Sequence, residues 1–240
     1  MHIKKAIVVG ASSGIGASIA RQLLAEGADV AIVGRRQSQL DEVSAGRMRT
    51  YAHDVEHAAQ IPLLWERIVA DLGGVDTIVY AAGVMPSVDE HEYDFAKDQQ
   101  MIAVNVLGAM GWLGLAAARF EAQKSGNLVG ISSIAGERGR RGNPGYCTSK
   151  AAMSTYLESL RNRCSRYGVN VVTIKPGFVD TAMTGGKKLP LLISPERAAD
   201  ESIALVKRGT SASGFVPGIW AIIALIVRML PSFVFRRLNF

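Results

Sequence analysis

Short runs of consecutive apolar residues alternate along this chain with stretches in which apolar positions return every three or four residues. A run apolar at every position suits a strand buried on both faces, and the three-to-four spacing suits an amphipathic helix. Strand-like runs fall at 3–9, 28–33, 48–52, 76–81, 127–132, 169–175 and 214–216, with helical patterns between them. That alternation predicts an α/β fold: a doubly wound parallel sheet of about seven strands, with right-handed crossovers and helices on both faces. No linker, low-complexity tract or internal repeat divides the 240 residues, so 1–240 reads as a single domain, with 218–240 as an apolar and basic extension at its end. Ligands of such sheets gather at the carboxyl ends of the strands.

The first run closes on Gly10-Ala11-Ser12-Ser13-Gly14-Ile15-Gly16, which opens an amphipathic segment reaching Ala28 with Ile15, Ile19, Leu23 and Leu24 on one stripe. Strand, tight turn and helix in that order make a dinucleotide cradle, and the sheet is Rossmann-like. Gly10 permits the turn, Gly14 lets backbone approach a pyrophosphate, and Gly16 lets the helix pack close to the sheet. Free N–H groups at the helix start then face the phosphates. The spacing Gly-x-x-x-Gly-x-Gly differs from the commoner Gly-x-Gly-x-x-Gly. After the second strand stands Gly34-Arg35-Arg36, where an adenine ribose would lie. An acid there holds the 2′-hydroxyl of NAD, whereas guanidinium groups fork onto a 2′-phosphate, so Arg35 and Arg36 favour NADP(H) over NAD(H).

Tyr146 and Lys150 stand four residues apart in a helical stretch, which points both side chains from one face. An ammonium beside a phenol favours phenolate and pulls its pKa from ~10 toward working pH. The spacing alone is weak evidence, since a half-exposed aromatic beside a solvated lysine would look the same.

Taken together, the glycine turn, Asn105 within a long helical segment, Ser133, the Tyr146/Lys150 pair and Pro176-Gly177-Phe178-Val179-Asp180-Thr181 resemble the short-chain dehydrogenase/reductase family across nearly the whole chain. Ser133 precedes Tyr146 by thirteen positions, the family's separation, which sets it ahead of the neighbouring Ser132. Two departures are visible: Val9 stands where threonine is frequent, and Tyr80-Ala81-Ala82-Gly83 replaces Asn-Asn-Ala-Gly, which puts strand bracing in doubt more than chemistry.

The resemblance implies that Tyr146 is the general acid or base and that Lys150 steadies the phenolate and binds the nicotinamide ribose. Ser133 would donate a hydrogen bond to the reacting oxygen. Asn105 either holds a water that relays protons from Lys150 or bridges to a neighbouring strand, because an asparagine in apolar helix must be satisfied. The expected cofactor contacts are Gly10, Ser12, Ser13, Gly14, Ile15, Gly16, Arg35, Arg36, Ala82, Gly83, Tyr146 and Lys150. Asp54 and Val55 stand at the adenine position, with a plain helix cap as the other reading of Asp54. Pro176 and Gly177 end the sixth strand, where Val179 backbone and the Thr181 hydroxyl would grip the carboxamide. A homodimer or homotetramer is implied by the family alone.

Composition narrows the setting. The net charge of +6 and a pI near 9.5 would suit nucleic acid, yet no nucleic-acid motif is present and the arginines fall into separate clusters, so no such partner is expected. Cys147 and Cys164 make no disulfide framework, and no signal peptide precedes the first strand, which fits a reducing cytosol. Cys147 reads as a space-filler. His53 and His57 straddle a strand-to-helix boundary, so no metal site is expected.

Two segments bear on the substrate. Glu137-Arg138-Gly139-Arg140-Arg141-Gly142-Asn143 joins the serine to the tyrosine, and its arginines suit either an anionic substrate or a solvated loop. It shares a short, less specific resemblance with reductases of keto sugars linked to polyprenyl phosphate. Residues 219–230 read as a helix, apolar nearly all round and too short for the ~20 residues a bilayer crossing needs. It would lie in the membrane interface, placing the protein at the inner face of the cell membrane, or be buried in the fold or an oligomer contact. The leading expectation is an NADPH-dependent reductase of a small-molecule or lipid-linked carbonyl compound, or the reverse alcohol dehydrogenase. A nucleotide-sensing regulator without turnover and a membrane-surface scaffold are the alternatives.

Overall fold

The computed structural model describes residues 2–238. In chain order they form β1 (Lys5–Val9), α1 (Gly14–Ala25), β2 (Asp29–Gly34), α2 (Gln37–Ser44), β3 (Arg49–Ala52), α3 (Ile61–Leu72) and β4 (Thr77–Tyr80). Then come α4 (Phe95–Ile102), a π turn (Ala103–Leu107), α5 (Gly108–Gln123), β5 (Gly126–Ile131), α6 (Pro144–Cys164), β6 (Val169–Pro176), α7 (Pro195–Lys207), β7 (Ala212–Val216), α8 (Trp220–Met229) and α9 (Ser232–Phe235). The seven strands pair in parallel in the order β3-β2-β1-β4-β5-β6-β7. The doubly wound sheet expected from the apolar runs is therefore present, and its direction of winding reverses between β1 and β4.

Alternation along each strand divides the core in two. Ile7 and Val9 of β1 face one side with Trp65, Trp112, Phe120 and Leu157 from α3, α5 and α6. Ala6 and Val8 face the other with Ile19, Leu23, Leu40 and Ile203 from α1, α2 and α7. Because successive side chains on a strand point to opposite faces, a strand covered on both sides is mostly apolar, and the buried polar residues Thr77, Asn127 and Asn170 bond one another across the strands. Helix α1 stops at Ala25 rather than running to Ala28, since Gly27 turns the chain with φ +90° and Ala28 already leads into β2. Of its stripe, Ile19 and Leu23 are buried, while Ile15 and Leu24 are only partly covered.

The continuous helical stretch Phe95–Gln123 is, among the described residues, the one helix long and apolar enough to cross a membrane by length and composition. Its most apolar eighteen-residue window is instead 56% buried inside the fold, with Trp112, Leu113 and Phe120 fully buried under the sheet. Helix α8 buries Trp220 and Ala224 against the fold and leaves its other face in solvent. Asn239 and Phe240, the last residues of the expected extension, lie outside the described set.

Candidate active site

The loops at the carboxyl ends of the strands enclose a cavity of about 600 Å³. The β1–α1 turn forms one wall because backbone geometry leaves no alternative there. Gly10 has φ +87°, and a Cβ on it would fall 2.2 Å from the Ala82 nitrogen; one on Gly16 would fall 2.3 Å from the Gly10 carbonyl. Hydrogen bonds from Gly10 N and Ala11 N to the Val33 carbonyl, at 2.8 and 3.2 Å, pin the turn to the end of β2. Gly14, at φ +58°, faces the Thr181 methyl group across the cavity. The turn is thus a cradle that side chains would fill.

All the expected cofactor contacts line this one cavity: Gly10, Ser12, Ser13, Gly14, Ile15, Gly16, Arg35, Arg36, Asp54, Val55, Ala82, Gly83, Tyr146, Lys150, Pro176, Gly177, Val179 and Thr181. Arg36 reaches back over the turn to the Ser12 hydroxyl at 3.4 Å, and Arg35 stands 3.8 Å from the Asp54 carboxylate. Asp54 also accepts from Glu56 N at 3.1 Å, so it serves as a turn cap while facing the pocket. A fold with a glycine cradle at a winding reversal, an exposed α1 N-terminus and two guanidinium groups at the end of β2 fits a dinucleotide.

Helix α6 sets the reacting end. Asn143 caps it by accepting from Tyr146 N at 3.0 Å, Pro144 occupies its first turn, and the Asn143 amide donates to the Pro86 carbonyl at 3.1 Å. Tyr146 and Lys150, one turn apart, both line the cavity, as does Ser133 just past the end of β5, and the phenol donates to Met183 Sδ at 3.9 Å. Ser133 also accepts from Ala135 N at 3.0 Å, which orients it. Ser132 is occupied elsewhere, donating to the Lys150 carbonyl at 2.9 Å and contacting Ser154 at 2.8 Å.

The tyrosine differs from expectation in one respect. Burial pushes the Tyr146 phenol up from 10.0, opposed by Ser133 and the Arg140 charge. The Lys150 ammonium sits 5.7 Å from the ring centroid and donates to the Ile131 carbonyl at 3.0 Å. Burial lowers Lys150 itself from 10.5 to about 8.

Asn105 does not line the cavity; it stands behind it in the π turn, and its amide joins the loop after β4 and helix α6, neither of them the neighbouring strand anticipated. Its oxygen accepts from Val84 N at 2.8 Å, and its nitrogen donates to the Val84 carbonyl at 3.0 Å and to the Ser149 hydroxyl at 2.9 Å. Gly83 passes between Asn105 and Lys150, where a Cβ would meet Asn105 Oδ1 at 3.3 Å and Lys150 Nζ at 3.4 Å. Tyr80, noted only as a departure, turns out to be a brace. Its buried hydroxyl donates to the Val104 carbonyl at 2.6 Å, tying β4 to the π turn.

The arginine loop is corrected more substantially. Only Arg140 lines the cavity. Arg138 donates to the Val227 and Leu230 carbonyls at 2.6 and 2.5 Å and stacks 4.0 Å from the Phe235 ring centroid, while Arg141 contacts Glu90 and the Arg236 carbonyl at 3.3 Å each. Two of the three cations therefore serve the carboxyl-terminal segment. The sequence reading also passed over Met85, Phe178 and Met183, which wall the reacting end. Being apolar residues in loops, they carried no periodic signal.

These features define a dinucleotide-dependent oxidoreductase site on a doubly wound sheet, and comparison with known proteins agrees. The family described as short chain dehydrogenase matches residues 4–190. An uncharacterized oxidoreductase of Myxococcus xanthus is 33% identical over 244 residues, covering 98% of this chain and 96% of its own. One from Staphylococcus epidermidis is 34% identical over 187 residues, covering 76% and 81%. A solved structure described as a short chain dehydrogenase/reductase family protein superposes with a TM-score of 0.79 at 27% identity, covering 90% of this chain and 97% of that one. The chain belongs to the short-chain dehydrogenase family, and membership implies a nicotinamide cofactor.

Proposed function

We propose that the protein is an NADPH-dependent carbonyl reductase, also able to run the reverse alcohol oxidation, with Tyr146 as its general acid. The observation that carries this reading is the convergence of the Ser133 hydroxyl, the Tyr146 phenol and the Lys150 ammonium on the cavity that contains the glycine cradle. A nicotinamide cofactor held in that cradle would supply the hydride for the carbonyl carbon. Tyr146 would give its phenolic proton to the carbonyl oxygen, and Ser133 would donate a hydrogen bond where charge develops on that oxygen. Lys150, at the cavity wall, would hold the ribose hydroxyls and return a proton to the phenolate, and Pro176, Gly177, Val179 and Thr181 would hold the carboxamide.

Arg35 and Arg36 support the preference for NADPH, because no acidic residue ends β2 and both guanidinium groups face the cavity. The substrate end combines Val84, Met85, Ile134, Phe178 and Met183 with a single cation, Arg140. That lining suits a largely apolar ketone with one anionic group.

The test is the fall of NADPH absorbance against a panel of ketones differing in apolar length and anionic head. Tyr146→Phe is expected to cut turnover by ~10²–10⁴ while NADPH affinity is kept. Retained turnover in that variant would remove Tyr146 from the chemistry. In a parallel NADH series the wild type should favour NADPH, and replacing Arg35 and Arg36 by serine should cost ~10–100-fold in NADPH affinity. Equal efficiency with both nucleotides would defeat the phosphate assignment.

A further inference from the structure

Helix α8 is apolar on two opposite sides, and only one is covered. Trp220 and Ala224 turn inward, with Trp220 edge-on to Phe178 at 5.3 Å. Ile219, Ile222, Leu225, Ile226 and Met229 recur at helical spacing on the other side, each 46–74% exposed. Phe233 of α9 extends the patch, also exposed. Arg228, Arg236 and Arg237 border it in solvent. Residues 202–240 contain five Lys or Arg and no Asp or Glu; Lys207 pairs with Glu26 and Arg228 with Glu137, while Arg236 and Arg237 stand exposed beside the patch.

We propose that this face seats the protein on an anionic lipid bilayer, with α8 lying in the plane of the interface and the bordering arginines against the headgroups. Ten residues cannot span the hydrocarbon, whereas an apolar face rimmed by arginine is what an interfacial helix needs. Charge favours lipid over a second copy. A self-contact pairs this patch with itself, and residues 219–238 carry arginines but no carboxylate to meet them. The inference is independent of the reductase reading.

The seat is mechanically joined to the cavity. Arg138 and the Glu137–Arg228 pair at 3.4 Å tie α8 to the loop between Ser133 and Tyr146, and Trp220 packs against Gly177, where a Cβ would fall 1.9 Å from the indole nitrogen. A bilayer under α8 would therefore lie beside the substrate loop.

The experiment is vesicle flotation of the full chain with phosphatidylglycerol/phosphatidylcholine vesicles and with pure phosphatidylcholine. Binding is expected to the anionic vesicles, to weaken in high salt, and to fall about tenfold or more in an Ile222→Glu/Ile226→Glu double variant. If that variant misfolds by circular dichroism, Arg236→Glu/Arg237→Glu serves instead and should lose binding likewise. Absence of binding by the wild type, or binding indifferent to these substitutions, would overturn the proposal. So would light scattering that shows a dimer broken by Ile222→Glu/Ile226→Glu, which would make the face a self-contact. Since no outcome depends on turnover, failure here and failure of Tyr146→Phe are separable.

Discussion

Lys150 shows how a single buried side chain carries a measurable signature. Burial holds its ammonium at about 8 against an ordinary 10.5, so the folded value is depressed below the unfolded one. Between those two values the unfolded chain binds a proton that the folded chain has released. Stability therefore rises with pH through that window, and the full penalty of the buried charge is present below it. Thermal melting of the ligand-free protein from pH ~7 to ~8.5 should show this rise, and Lys150→Met should flatten it. The range stops there because Cys164, raised by burial from 9.0 to about 12, and Tyr146, raised from 10.0, work in the opposite sense above it. A rise of equal slope in Lys150→Met would mean that another group titrates.

At the scale of elements, the decisive object is the turn between β1 and α1. Its glycines serve two different constraints: Gly10 and Gly14 need positive φ, while Gly10 and Gly16 need room for backbone to pass. Gly10→Ala meets both obstacles at once, with left-handed backbone and a methyl 2.2 Å from Ala82 N. We expect it to lower stability by ~1–3 kcal/mol and to abolish NADPH binding, checked by urea unfolding and by fluorescence titration. Wild-type affinity in that variant would show that the cradle adjusts more readily than its contacts imply. The π turn between α4 and α5 is a second such device. One irregular turn frees the Val104 carbonyl for Tyr80 and aims Asn105 at Val84, so the helix that fills the core also shapes the floor beneath Lys150.

Across the whole molecule, Glu137 links three distant parts of the chain. Its carboxylate is nearly buried and contacts Lys175 of β6 at 2.6 Å and Arg228 of α8 at 3.4 Å. Removing one partner of a buried pair strands the other charge, so Glu137→Ala should lower stability by ~3 kcal/mol in denaturant unfolding. The weight falls on Lys175, whose side chain is 14% exposed, and much less on Arg228, at 64%. A change within ±0.5 kcal/mol, the ordinary range for a surface site, would show that the junction is slack.

Ser133 was legible only through the family resemblance; the alternation of strands and helices, the glycine cradle and the alignment of Tyr146 with Lys150 could be read from the chain itself. Each rests on local rules: fully apolar runs mark strands buried on both faces, positive φ selects glycine, and a helical turn aligns residues four apart. Long-range packing decided the rest. Three arginines in one loop look alike in sequence, yet one faces the cavity and two hold the carboxyl-terminal segment, because that depends on residues some ninety positions away. The same holds for the direction of the Lys150 ammonium, for Tyr80 as a brace, and for which side of α8 is covered. Local spacing determines where a side chain leaves the backbone. What it meets, and how much water it loses, is set only when separate parts of the chain come together.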